Sequence, residues 1–143
     1  DISSFNHPVK SLFFGFGTSQ TNFTVDRFTF KNADIQINGT PLLENMSPTY
    51  FHTAQNYYKS TYGKTYFNMP SHSPTLTRYF AYHFCLNASD YNPSGSCNFS
   101  RLDNAKLVIR GAEAVDRPYM YVYAVNYNVL RIKDGLAGIL FGN

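Results

Sequence analysis

The chain has no tryptophan, only two cysteines and no run of lysine or arginine. Two cysteines are too few for a small secreted scaffold held by disulfides, which usually carries more. The formal charge of +3 is dispersed, so the electrostatic footprint of a phosphate-backbone binder is missing and no direct nucleic-acid contact is expected. No apolar stretch approaches the roughly 18 residues of a spanning helix, so no membrane span is expected either. Asp1 begins neither a signal peptide nor a methionine start, and the expectation is a piece of something longer.

The residue patterns of catalysis are also missing. His7, His52, His72 and His83 form no H-x-H and no i, i+4 pair, so the ligand spacing of a metal-binding β-barrel is absent and neither metal nor other cofactor is expected. His83 falls in an expected strand and reads as a core or interface histidine. Asp103, Glu113 and Asp116 lie in or beside expected loops, without a spaced partner that would set a general acid against a base. Gly63-Lys64-Thr65 spells the end of a phosphate-binding loop, but Tyr58 stands where that loop needs its first glycine. There is no G-x-S-x-G elbow and no cysteine-centred nucleophile motif. No enzymatic activity is expected.

What the chain has in quantity is aromatic surface, 12 Tyr and 13 Phe in 143 residues. Such side chains suit a pleated, half-buried surface, and the length suits one domain, so a single all-β domain is expected. From Tyr119 onward, Tyr121, Tyr123, Val125, Tyr127 and Val129 alternate with Met120, Val122, Ala124, Asn126 and Asn128, predicting a long strand with its tyrosine face in the core. Asp134-Gly135 turns it into a return strand, Leu136 to Phe141.

At the front, Val9 to Phe16 has Leu12, Phe14 and Phe16 on one face and Val9, Ser11 and Phe13 on the other, predicting a strand covered on both sides or one facing a partner chain. Thr18 to Phe23 reads as a loop and Val25 to Phe30 as a short strand. Ala33, Ile35 and Ile37 mark a half-buried strand closed by the Asn38-Gly39 turn. Ser47-Pro48 opens a helix to about Lys59, with Tyr50, Phe51, Ala54, Tyr57 and Tyr58 as its apolar positions. Ser60 to Thr77 has the composition of a long loop. Arg78 to Leu86 and Cys97 to Arg110 are expected to form a hairpin turned at Asn92-Pro93-Ser94-Gly95, with Ala105, Leu107 and Ile109 facing in. Gly111 to Pro118 is a charged loop. Cys85 and Cys97 then fall on facing arms, where two buried thiols are favoured over a disulfide.

Three stretches carry a family resemblance. YAVNYNVLRI with the following GLAG, NPSGSCNFSRLD at Asn92 to Asp103, and NHPVK at Asn6 to Lys10 resemble, in register, the double jelly-roll major capsid proteins of the iridovirus, phycodnavirus and mimivirus groups. The residues that carry it are Asn6, His7, Pro8, Pro93, Gly95, Asn98, Ser100, Arg101, Tyr127, Asn128, Arg131 and Gly135. The resemblance implies an antiparallel jelly-roll sandwich with one short helix in an inter-strand connection, the C-terminal part of a second jelly roll. Residues 1–143 would be most of that domain, lacking its first strands. It implies a virion capsid protein assembled in host cytoplasm, three copies forming a pseudo-hexagonal capsomer. Its partners would be neighbouring capsomers and minor capsid proteins.

Sequons at Asn22, Asn38, Asn45, Asn87 and Asn98 exceed what composition suggests. They read mainly as an Asn-rich surface, with Asn22, Asn38, Asn87 and Asn98 as candidate glycosylation sites. With the tyrosines, they support the alternative of a secreted carbohydrate-binding β-sandwich.

Overall fold

A computed structural model describes residues 1–17, 30–61, 79–112 and 119–142. The expected loop Thr18 to Phe23, nearly all of the expected strand Val25 to Phe30, and most of Ser60 to Thr77 and Gly111 to Pro118 lie outside the described residues. So do His72, Glu113, Asp116, the Gly63-Lys64-Thr65 stretch and the Asn22 sequon.

The central element is β1 (Pro8–Gly17). One of its edges carries β7 (Tyr119–Asn126), and the other carries β4 (Phe80–His83) and the two-residue β5 (Cys97–Asn98) end to end, all antiparallel. A second antiparallel sheet has the order β3 (Thr40–Met46), β2 (Asn32–Ile37), β6 (Ala105–Arg110). Apolar side chains from both sheets meet in one core: Val9, Leu12, Phe14 and Phe16 of β1, Phe80 of β4, Ala33 and Ile35 of β2, and Ala105 and Leu107 of β6. Phe14 is its hub, stacked on Phe80 at 5.4 Å between ring centres and edge-on to Phe51 at 5.3 Å. The Ala105, Leu107 and Ile109 face points inward as expected.

Turn chemistry behaves as the residues dictate. Asn38 and Gly39 both have positive φ (49° and 79°) between Ile37 and Thr40, the type I′ requirement of a two-residue hairpin. Asp134 and Gly135 repeat it at 53° and 78°, joining β8 (Leu130–Lys133) to β9 (Leu136–Ile139). The strand β3 had no period-two signal of its own and follows only from the turn before it.

Three expectations are corrected. First, the Arg78–Arg110 hairpin does not exist: β4 and β5 both pair with β1, and β6 pairs with β2 in the other sheet. The expected return strand is interrupted by a 3-10 turn at Phe99–Arg101, initiated by the Asn98 side chain accepting the Ser100 N–H at 3.1 Å. That turn lets the chain cross from one sheet to the other.

Second, the faces of β7 are inverted. Residues paired across a sheet share a face. Because Leu12 and Phe14 point into the core, their partners Ala124 and Val122 do too, while Tyr123, opposite Phe13, is 52% exposed. The strand also stops at Asn126, since the Asn128 side chain takes over the pairing: its Oδ1 accepts from Val129 and Phe141 N–H, and its Nδ2 donates to the Phe141 carbonyl.

Third, the helical segment begins where Ser47-Pro48 predicts, with the Tyr50 N–H reaching Ser47 Oγ at 3.4 Å, and Phe51 is buried as expected, but Gln55 and Asn56 rather than Tyr57 and Tyr58 complete its buried face. A π turn at Tyr50–Ala54 runs into α1 (Gln55–Lys59), and Phe51, Gln55 and Asn56 are buried while Tyr57 and Tyr58 are exposed. Polar residues are inside because this segment lies against the outer edge of β4. His52 Nδ1 bonds the Tyr79 carbonyl (2.9 Å), Gln55 Oε1 accepts the His83 N–H (3.0 Å) and Lys59 Nζ donates to the His83 carbonyl (2.9 Å). Along this edge, side chains take the part that ladder bonds play elsewhere in the sheet.

Two substitutions on one strand test this layout. Leu107→Asp should abolish soluble expression of the full-length protein, because an unpaired carboxylate would enter the core. Its exposed neighbour Lys106→Asp should be tolerated, so equal solubility of the two would contradict the burial pattern of β6.

Candidate assembly surface

The three stretches that carried the resemblance converge at the start of β1. His7 has a φ of 67°; its N–H donates to Ser100 Oγ (2.8 Å) and its carbonyl accepts from Phe99 (3.0 Å). Pro8, paired with Asn98, accepts the Tyr127 N–H (2.9 Å), and the Asn6 carbonyl accepts from Asn126 Nδ2 (3.0 Å). Lys10 donates to the Asp90 carbonyl (2.5 Å) and lies 5.8 Å from the centre of the Tyr127 ring. Asn6 through Pro8, Asn98, Ser100 and Tyr127 thus form one backbone-satisfying junction, while Asn128 bonds Val129 and Phe141 instead. Arg101 and Pro93 are exposed, while Arg131 and Gly135 belong to the terminal hairpin, away from it. Gly95 has a φ of 133°, and a Cβ there would come within 2.9 Å of the Phe84 carbonyl oxygen, so only glycine fits.

The candidate glycosylation asparagines within the described residues hold the backbone. Asn38 Oδ1 accepts from Asp103 and Asn104, and Asn87 and Asn98 each accept the N–H two residues on, from Ser89 and Ser100. Cys85 is buried and Cys97 half-buried, both as free thiols, and burial raises the Cys97 pKa.

Two buried polar groups organise the layers. Asp34 on β2 is held by both guanidinium nitrogens of Arg110 and by the Asn45 N–H, and the Arg110 bond above all keeps its pKa below the usual carboxylate value. His83 on β4 is fully buried, with Nδ1 2.8 Å from Ser11 Oγ on β1 and Nε2 3.0 Å from Asn56 Oδ1 on the helical segment. Asn56 Nδ2 donates to the His52 carbonyl, which leaves its Oδ1 to accept from His83 Nε2–H. Ser11 then donates to Nδ1, and the imidazole is neutral. Burial, with Lys59 and Lys10 adding to it, lowers its pKa to about 4.

Apolar surface left uncovered is concentrated in the last strands. Tyr119, Tyr123 and Val125 project from the outer face of β7. Beyond it, every residue of the β8–β9 hairpin is exposed. Its register pairs Leu130 with Ile139 and Ile132 with Ala137 on one face, and Arg131 with Gly138 and Lys133 with Leu136 on the other. The hairpin is therefore amphipathic, apolar on one side and basic on the other, with Leu130, Ile132 and Ile139 each about 70% exposed. Sequence reading had buried the tyrosines and missed this face.

Among the described residues, no three His, Cys, Asp or Glu side chains are grouped so as to hold a metal ion, and no helix is long and apolar enough to cross a membrane. Among the described residues, an antiparallel sandwich thus carries an uncovered apolar strand face and an amphipathic hairpin. The profile of the large eukaryotic DNA virus major capsid protein family matches residues 3–138, and the chain belongs to that family. It is 31% identical to the major capsid protein of Pyramimonas orientalis virus over 98% of this chain and 38% of that protein. With the major capsid protein of Phaeocystis pouchetii virus it shares 37% identity over 78% of this chain and 20% of the relative. In fold it is similar to the quasi-atomic model of the PBCV-1 virus capsid, with a TM-score of 0.73 and 24% identity over 98% of this chain and 45% of that one, which makes the fold a capsid jelly roll. The chain spans less than half the length of these relatives.

Two consequences can be measured on the full-length protein. Gly95→Ala should lower the melting temperature, because the added methyl strains both φ and the Phe84 contact. A double-mutant cycle on Asp34→Asn and Arg110→Met should be strongly non-additive: Arg110→Met alone strands a buried carboxylate, and combining it with Asp34→Asn should relieve most of that loss. Because the folded Asp34 pKa is depressed, this pair's contribution is full above the unfolded carboxylate value of about 3.9 and fades as pH falls through the folded value. Additive melting shifts would remove the pair from the account of stability.

Proposed function

We propose that this chain is part of the structural subunit of an icosahedral viral shell, the C-terminal part of the second jelly roll of a double jelly-roll protein. Three copies of the whole protein form a pseudo-hexagonal capsomer that contacts neighbouring capsomers and minor capsid proteins. The protein is located in the virion capsid, is assembled in host cytoplasm, and has no catalytic activity and no cofactor. The observation that carries the reading is the uncovered apolar surface of β7 and the β8–β9 hairpin, in a chain whose family is capsid proteins and which spans under half of its relatives' length. In this reading, polypeptide beyond residues 1–143 covers those faces. The junction of Asn6, His7, Pro8, Asn98, Ser100 and Tyr127 holds the sheet that presents them.

The alternative, a carbohydrate-binding sandwich, draws on the exposed rings of Tyr119 and Tyr123. Family membership weighs against it.

The test is particle formation. Full-length protein should sediment as a trimer or larger shell and show pseudo-hexagonal capsomers by electron microscopy, whereas Leu130→Ser with Ile132→Ser should reduce the yield of assembled particles severalfold. Residues 1–143 produced alone should self-associate through their uncovered faces. A stable monomer of the full-length protein retained on a glycan column would favour the alternative.

A further inference from the structure

We propose that His83 is an acid-operated latch: its protonation releases the helical segment 50–59 from the edge of β4 and opens that edge to pairing. The imidazole ties three elements together, bonding Ser11 on β1 and Asn56 on the helical segment from its own position on β4. Its main-chain N–H and carbonyl are the groups that Gln55 and Lys59 grip. A change at this one residue therefore reaches the clamp at both its side chain and its backbone.

The surroundings have no means of accepting a second proton on the ring. His83 is wholly buried, beneath Phe13 at 5.7 Å between ring centres. Among the described residues, the charged groups acting on it are Lys59 from the helical segment and Lys10 from β1, both cations. The remaining titratable groups of the packed elements do not offset them. Tyr82 on β4 is kept protonated by its own burial, and His52 bonds the Tyr79 carbonyl. Protonation would also reverse the Ser11 bond, since Nδ1 would become a donor and the hydroxyl would lose its acceptor. The unfolded or detached form carries no such penalty and binds the proton near pH 6.5. Clamping is thus complete above that value and weakens as pH falls from about 6.5 toward 4. The segment gives way before the sheets because it is held by one core side chain, Phe51, the His52 ring against Phe80 and a few side-chain bonds to the β4 edge, whereas β2 and β6 are joined by a full ladder. Once it lifts, the outward N–H and C=O groups of β4 form an open strand edge.

The test is hydrogen–deuterium exchange of the full-length protein between pH 7 and pH 4, corrected for intrinsic exchange rates. Peptides covering 50–59 and 80–83 are read against an internal control covering 32–37 and 105–110. We expect protection of the first set to drop at least tenfold relative to the control as pH falls. His83→Gln, which keeps a donor toward Asn56 but does not titrate, should abolish the drop. Asn56→Asp, which gives the imidazolium a carboxylate partner, should keep the segment closed at pH 5. Unchanged protection in the wild type overturns the proposal, as does an equal drop in His83→Gln. If His83→Gln does not fold, a wild-type-sized drop at pH 5 in Asn56→Asp overturns it.

Discussion

Everything in the larger sheet is attached through β1. Among the described strands it alone pairs with β4, β5 and β7, and it is used on both edges and both faces. Leu12, Phe14 and Phe16 supply the core side, while Ser11 and Phe13 face His83. A strand in this position cannot slip register, because a shift of one residue would move three large apolar side chains out of the core and bring Ser11 in. The closely spaced Phe-Phe pair at 13 and 14 is what a strand covered on both sides requires, and it fixes which face of every neighbour is inside.

The two layers around β1 are held by different physics. In the core the contact is dispersion and hydrophobic burial: Leu12, Phe14 and Phe16 share one cluster with Ala33 and Ile35 of β2 and Ala105 and Leu107 of β6, and Phe80 of β4 and Phe51 of the helical segment lie 5.4 and 5.3 Å from the Phe14 ring centre. Toward the helical segment it is largely a buried polar network, in which Gln55, Asn56 and Lys59 each commit a side chain to His83 of β4 and His52 bonds the Tyr79 carbonyl just before it. Apolar packing degrades gradually when a contact is lost. A buried hydrogen-bonded network does not, since each unsatisfied member costs about 1–3 kcal/mol. The helix-covered edge is therefore firm when complete and sensitive to one proton.

How far this was readable from the residues depends on range. The two-sided strand, both Asx-Gly hairpin turns and the start of the helix at Ser47-Pro48 were legible because each is decided within a few residues. Pairing across the sheets was not. Arg78–Leu86 followed by a Pro/Gly turn and an alternating run has every local mark of a hairpin, and only the competing demand of β1 for an edge partner explains why β4 and β6 part company. The tyrosine face of β7 failed for the same reason. Size suggested burial of Tyr121 and Tyr123, but the register with Leu12 and Phe14 assigns the inside to Val122 and Ala124. The helix was legible in part: Phe51 enters the core as its spacing suggested, but the rest of the buried face, Gln55 and Asn56, is polar because it bonds the backbone and side chain of His83 on the edge of β4. Of the family-like residues, the convergence of Asn6 to Pro8, Asn98, Ser100 and Tyr127 on one junction could not have been derived from spacing, since it spans the length of the chain.

The magnitude of the uncovered surface limits what can cover the terminal hairpin. A two-stranded ribbon alone is at best marginally stable in water. Its apolar face offers three large side chains, Leu130, Ile132 and Ile139, and full burial of a Leu or Ile is worth about 1.5–3 kcal/mol. Their sum, about 5–9 kcal/mol, only matches the lower part of the roughly 4–15 kcal/mol that a separate molecule loses in translational and rotational freedom on docking. The hairpin by itself therefore cannot recruit an independent partner with useful affinity. Either its cover is tethered to it covalently, so that most of that entropy is already lost, or a partner takes the hairpin together with the Tyr119, Tyr123 and Val125 face of β7. On the proposed reading, both routes tie the burial of the hairpin's apolar face to packing against other polypeptide.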